Sequence, residues 1–254
     1  MDDFLATAEE TIVSRKKMTN PLYQIILAGD ASLELLRNMV IHRFPIKNFW
    51  TRNILGIASR IDDYRLRRSL VENIYEEETG KLTDSDRHLN TFLAFGKCLG
   101  LTGDQVTRAP VAPETKAVIA HNLAVCNDPS HHFTEGVLSV LYLMEGQPAI
   151  VNQRQQSMET VMREAYRLPP EGFEYFTHHA SSGADDRGVS ELEDEHAETA
   201  IAILKKYCTS PRLRLNALNA LNTAVELRHR HFTMIYENHH DRAATPFRFG
   251  GQAA

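Results

Sequence analysis

Cysteine is scarce. Cys98, Cys126 and Cys208 are the only three in 254 residues, widely spaced and with no Cys-x-x-Cys, which excludes a disulfide framework and a zinc ribbon. They read as small buried hydrophobes, and nothing marks a nucleophile among them. There is no excess of positive charge: 28 Lys and Arg against 33 Asp and Glu give a net −5, and no polybasic block compensates locally. Non-specific nucleic-acid binding is therefore not expected. Long apolar runs are missing too. Stretches such as Val140 to Met144 fall far short of the ~20 residues a bilayer span needs, and the acidic start Met1-Asp2-Asp3 lacks the basic region of a signal peptide. A cytoplasmic chain without membrane association is expected. No stretch alternates convincingly as a strand.

What is present is an ordinary globular mix, 43% hydrophobic and 24% charged, in a length that suits one large domain or two small ones. Apolar residues recur at helical spacing almost everywhere, as in Leu33, Leu36, Met39 and Val40, then Ile41 and Phe44. The spacing predicts helices near 3–17, 20–28, 31–60, 62–78, 85–100, 114–126, 132–165, 171–181, 190–207 and 211–239. This is an all-α, single-domain protein over 1–242, with a flexible C-terminal tail over 243–254. Gly29 to Ser32 should stop one helix and cap the next, Asp62 should cap the segment beginning at Asp63, and Pro169-Pro170 should precede a further helix. Pro45 and Pro148 should kink or split the two longest early segments. No period of 20 to 50 residues repeats, which disfavours a solenoid. Ser181 to Gly188, small and polar, reads as a loop or break.

Four features carry possible chemistry. Glu145 follows Leu138, Leu141 and Tyr142 on what would be one helix face. An ionised carboxylate there must be protonated, paired with a cation or bound to metal. Glu193 and His196 stand at i and i+3, the spacing with which helical di-iron carboxylate proteins grip a metal. The same spacing recurs at Glu226/His229 and Glu237/His240, so taken alone it decides little. The run Glu76-Glu77-Glu78, followed by Gly80 and His88, repels itself unless it is solvated or a cation sits at its end. Lastly, Tyr175-Phe176-Thr177 precedes His178 and His179, which point about 100° apart on a helix, so only one can join a site.

From about Leu33 onward the order of these features resembles the heme-oxygenase-like di-iron oxidases and oxygenases, relatives of the thiaminase II and pyrroloquinoline quinone synthase C folds. The resemblance runs through Asn73 to Gly80, His88, the turn Leu99-Gly100-Leu101, the segment Leu141 to Pro148, Tyr175 to His179 and Glu193 to His196. It implies a heme-oxygenase-like helical bundle in which Glu78, His88, Glu145, His179, Glu193 and His196 hold two Fe(II) ions per chain. Manganese is the alternative metal, since three carboxylates and three imidazoles suit either ion better than a thiolate-loving one. Glu77, His178 and Asp194 are the nearest competitors of Glu78, His179 and Glu193. The family usually carries its last ligands as His-x-x-x-Asp-x-x-His on one helix. Here Glu193 stands far downstream of His179, with the Ser181–Gly188 loop between them, so partial metal occupancy is expected at the second site. A lysine that some relatives carry is Gln155 here, which puts activities that need it in doubt.

The activity implied is that of an O2-dependent oxidase or oxygenase acting on a small, amino-acid-derived metabolite by N-oxygenation, oxidative decarboxylation or C–C cleavage, in a homodimer. Arg43, Lys47 and Arg154, near the bent segments, either receive a substrate carboxylate or face solvent. Three alternatives compete: a cofactor-free oxidase of the quinone synthase type, a non-catalytic helical adaptor, and a ferritin-like bundle using Glu193, His196, Glu226 and His229.

Overall fold

The computed structural model describes residues 1–15, 17–145, 156–177 and 189–251, with the side chains of Glu145 and of 189–196 outside that description. The helices are α1 (Asp2–Ser14), α2 (Pro21–Leu27), α3 (Leu33–Asn48), α4 (Trp50–Ala58), α5 (Tyr64–Thr79), α6 (His88–Cys98), α7 (Gly103–Thr107), α8 (Pro113–Asn127), α9 (Phe133–Gly136), α10 (Leu143–Glu145), α11 (Met158–Glu164), α12 (Pro170–Thr177), α13 (Val189–Tyr207) and α14 (Pro211–His239). No strand is found among the described residues. The all-α expectation holds, and the starts follow their caps. Ser32 accepts from the Leu35 amide and Ser210 from the Leu213 amide, while Pro21, Pro113 and Pro211 open their helices, where a missing N–H costs nothing.

Several boundaries differ from expectation. The 31–60 segment splits at Phe49, within about a turn of Pro45, into α3 and α4. Asp63, not Asp62, caps α5, its carboxylate accepting from the Arg65 and Leu66 amides. Asp62 instead accepts from the Tyr207 hydroxyl. The short helix α7, held by a Thr102/Gln105 capping box, was not expected. The 132–165 segment is not one regular helix either. Between α9 and α10, Val137–Tyr142 forms a π-helix with every residue buried. The wider turn rotates the residues beyond it, so the regular spacing assumed to align Leu138, Leu141 and Tyr142 with Glu145 does not hold. Pro148 and the loop Ser181–Gly188 lie outside the described residues.

Two apolar clusters build the core. One surrounds the π-helix and gathers α1, α4, α13 and the first half of α14, with Leu138, Leu141, Ile54, Ile57, Ile203 and Leu221 fully buried. The other packs α2, α3, α6, α11, α12 and the end of α14 around Leu35, Leu36, Phe92, Phe95 and Tyr166. The 29-residue α14, about 44 Å at 1.5 Å per residue, runs through both. Ala217, Ala220 and Ala224 keep its first half narrow. Tyr166 ties the second cluster with its hydroxyl, which accepts from the Ala31 amide and donates to the Ile26 carbonyl. Within the tail expected to be flexible, residues 247–249 are docked: the Phe247 amide donates to the Ala31 carbonyl, the Phe249 amide to the Tyr166 carbonyl, and Arg248 to the Gly29 carbonyl. Its aromatic residues make the difference, since Phe247 packs on the second cluster.

Candidate metal centre

The last turn of α5 and the first of α6 meet because Gly80 lets the chain reverse. Gly80 ends α5 at φ +65, its amide donating to the Glu76 carbonyl at 2.7 Å. A Cβ there would fall 2.4 Å from the Ser85 carbonyl oxygen, so only glycine fits. The three consecutive acids leave the helix in different directions and meet different partners. Glu76 is buried and folds over the turn, accepting from the Leu82 amide at 2.7 Å and from the Thr83 hydroxyl. Glu78 is half-exposed, accepting from Thr51 at 2.6 Å and pairing with Arg87 at 2.7 Å. Glu77 points inward, its Oε1 3.0 Å from His88 Nδ1, with the two side chains 21% and 14% exposed.

This pair forms one wall of a cavity of about 80 Å³. Trp50, Leu89 and Met144 give it apolar surface, Asn53 and Asn122 give it amides, and Arg43 and Lys47 give it positive charge. Lys47 donates to the Tyr175 hydroxyl and lies 4.3 Å from the centre of that ring and 5.2 Å from Phe92. Burial disfavours a charged His88, yet the 3.0 Å contact with Glu77 and the charges of Glu77 and Glu76 outweigh it, so the imidazole holds its proton above the ordinary pKa. The lone pairs that share this proton belong to an imidazole and a carboxylate, the donor types that iron and manganese take. The residues present therefore fit such an ion, and loading it would displace a proton. No thiolate competes: Cys126 and Cys208 are buried elsewhere, and burial pushes the Cys126 thiol up to about 12.

Of the six expected ligands, His88 and Glu78 both line this cavity, Glu78 while engaged with Thr51 and Arg87, which line it too. The side chains of Glu145, Glu193 and His196, and all of His179, are outside the described residues, as is Arg154. Among the described residues no group of three or more His, Cys, Asp or Glu converges as a metal cage. The alternative Glu-x-x-His pairs of α14 are drawn elsewhere: Glu226 pairs with Arg15 and is 46% exposed, and Glu237 is exposed. Sequence reasoning did not single out Thr51, Tyr175 as the partner of Lys47, or Arg228. The last stands about three turns before the end of α14 with no spacing motif to mark it.

Behind the cavity, where α14 crosses α8 and α3, His231 is 1% exposed with Nδ1 3.2 Å from the Thr115 hydroxyl. Burial, and then the charges of Arg43 and His42, push its pKa down to about 3. The folded chain thus keeps it neutral while the unfolded chain takes a proton below about pH 6.5. Stability falls as pH drops from there toward 3. At pH 5 the loss from this residue is about 2 kcal/mol, or about 4–8 °C in melting temperature. His88, with its raised pKa, works in the opposite direction, so the contribution is read as the difference in pH slope between the wild type and His231→Gln. Identical slopes would contradict it.

Fold and site together define an all-helical bundle of the heme-oxygenase-like type with an imidazole and a carboxylate facing an internal cavity. The chain belongs to the iron-containing redox enzyme family, whose match extends over residues 37–229. It is 23% identical to a 4-aminobenzoate synthase of Nitrosomonas europaea over 248 residues, covering 93% of this chain and 92% of that one. A 4-aminobenzoate synthase of Chlamydia muridarum is 23% identical over 178 residues, 70% of this chain and 71% of the relative. Among solved structures, a domain of unknown function with a heme oxygenase-like fold from Shewanella denitrificans superposes with a TM-score of 0.66 at 13% identity, covering 93% and 90% of the two chains. A CADD-like protein of unknown function from Nostoc punctiforme gives 0.64 at 13% identity, covering 94% and 99%. These two share the fold.

Proposed function

We propose that this protein is a non-heme di-iron enzyme that uses O2 to oxidise a small, amino-acid-derived metabolite, by N-oxygenation, oxidative decarboxylation or C–C cleavage. The observation that carries the reading is the inward-facing Glu77–His88 pair on the wall of a cavity that also holds basic and aromatic side chains, in a chain of an iron-containing redox family. The proposed ligand set is His88, Glu145, His179, Glu193 and His196 with one acid of the 76–78 run. The 3.0 Å contact with His88 supports Glu77 in that role, and Glu78 is its competitor. Bound iron would supply the one-electron chemistry with dioxygen that side chains cannot.

The chain's own residues do the rest. Trp50, Leu89 and Met144 give the cavity an apolar wall. Lys47, held over Tyr175, to whose hydroxyl it donates, brings positive charge to the cavity, which suits an anionic substrate. That two relatives are called 4-aminobenzoate synthases supports a product carrying both an amine and an acid group. We further propose a homodimer in the cytoplasm.

The test is anaerobic loading of the full chain with ferrous iron, metal analysis and rapid mixing with oxygen. Two irons per chain and a transient visible absorption that vanishes in His88→Ala and Glu145→Ala are expected. A chain that retains no iron at reproducible stoichiometry would favour the adaptor reading instead.

A further inference from the structure

One cation in the interior has no counter-charge among the described residues. Arg228 of α14 is 7% exposed, and neither Nη1 nor Nη2 has a hydrogen-bond partner among the described residues. No ion pair reaches it among them either. One turn on, His231 is 1% exposed with Nε2 likewise without a partner. Facing them is Arg43 of α3, near enough for its charge to oppose that of Arg228 and to hold His231 neutral. The neighbouring Tyr23 hydroxyl is already taken by Arg43. Burial, softened by Tyr23 and worsened by Arg43, pulls Arg228 down to about 10, which still leaves it charged at neutral pH. An isolated buried charge is so unfavourable that proteins almost always supply a partner. Here the described residues supply two guanidiniums and no carboxylate.

We propose that Arg228 and Arg43 form a buried binding site for the carboxylate of a small organic acid. Both Nη atoms of Arg228 are buried and without a hydrogen-bond partner among the described residues, and that planar fork matches the two oxygens of a carboxylate, whereas a tetrahedral oxyanion or a halide uses it less fully. The surroundings favour an organic acid over an inorganic anion. The Phe232 ring lies 5.2 Å from the Arg43 guanidinium and meets the Tyr23 ring edge-on at 5.0 Å, giving apolar faces for a flat hydrocarbon body. Arg43 also lines the cavity that His88 lines, so one side chain belongs to both places. The acid's role as the substrate of the iron reaction rests on the function proposed above, but the existence of the site does not.

The experiment uses the full chain stripped of metal by a chelator, with benzoate as the probe and phosphate and chloride as controls. Calorimetry should show saturable benzoate binding, and at 100 times the dissociation constant the melting temperature should rise by about 5 °C or more. Neither control should reproduce this. Arg228→Met should abolish the response while melting no lower than the wild type, because it removes a charge that has no partner. A residue that merely held the fold together would lower it. Arg43→Gln should weaken benzoate at least tenfold. The calorimetry on wild-type protein stands even if a variant fails to fold. Absence of heat with millimolar benzoate, an undiminished response in Arg228→Met, or phosphate or chloride matching benzoate would each overturn the proposal. Benzoate binding by metal-free protein that takes up no iron would leave this site standing and remove the oxygenase reading.

Discussion

Glu77→Gln should abolish iron-dependent oxygen uptake, by about 100-fold or more, whereas Glu78→Gln should change it no more than about 5-fold. The contrast arises in the last turn of α5. Residues 77 and 78 are neighbours in sequence, but a helix turns about 100° between them. One carboxylate therefore faces His88 at 3.0 Å, and the other, half-exposed at the same cavity, is engaged by Thr51 and Arg87. Removing the charge of Glu77 takes away a donor that a metal would use and strips His88 of the group that holds its proton. Glutamine keeps the shape, so folding should survive. Glu78 is 39% exposed and Arg87 38%, and an ion pair in that setting contributes roughly 0–1 kcal/mol, which is a factor of about 5 at most. Iron content and oxygen consumption of the two variants, measured side by side, decide the matter. The reverse pattern, with Glu78→Gln dead and Glu77→Gln active, would assign the metal to the outer acid.

The largest effect on stability is expected from Gly56→Ala, a loss of about 3 kcal/mol or 6–12 °C in melting temperature. At Gly56 the helices α4 and α8 touch backbone to backbone. A Cβ added there would stand 2.7 Å from the Cys126 carbonyl oxygen and 2.2 Å from the Asn127 Oδ1. The Asn127 side chain is exposed and can swing away, but the Cys126 carbonyl cannot. It is fixed by the end of α8 and by Arg60, whose guanidinium donates to it at 2.5 Å and to the His131 carbonyl at 2.9 Å. Relief therefore requires α4 to move off α8, taking with it Ile54 and Ile57, both fully buried. Gly103→Ala is the control, since a Cβ there meets nothing within 4 Å and alanine favours the first turn of α7. It should melt at or slightly above the wild type. Thermal denaturation of the two variants tests the pair, and a Gly56→Ala protein melting within about 2 °C of wild type would show that the contact yields cheaply.

Periodicity, prolines and caps sufficed for the helices because each is a local signal. Apolar residues at three- and four-residue spacing announce α3 and α14, and Ser32, Ser210 and Pro211 mark where helices begin, since one side chain or ring meets the amides of a single turn. The cysteines could be read as inert because burial of small hydrophobes is their usual state, and so it is for Cys126 and Cys208. His88 and the acid run were legible as candidates for the same reason, since the motif is contiguous and a glycine follows it.

Which acid faces inward was not legible, because that depends on how the Gly80 turn docks α6 against α5. Asp63 rather than Asp62 caps α5 for a similar cause: Tyr207, distant in sequence, engages Asp62. The π-helix of Val137–Tyr142 leaves no periodic trace in so apolar a run, and the docked chain end depends on Phe247 finding a core built from other segments. Arg228 looked like any arginine of a long helix. Sequence alone determined what repeats along the chain: the helical class, the family, and a histidine and carboxylates in reach of one another. Tertiary structure decided which side chains lose water, because burial is conferred by segments far away in sequence, and it is burial that sets Glu77 apart from Glu78 and leaves Arg228 without a counter-charge among the described residues.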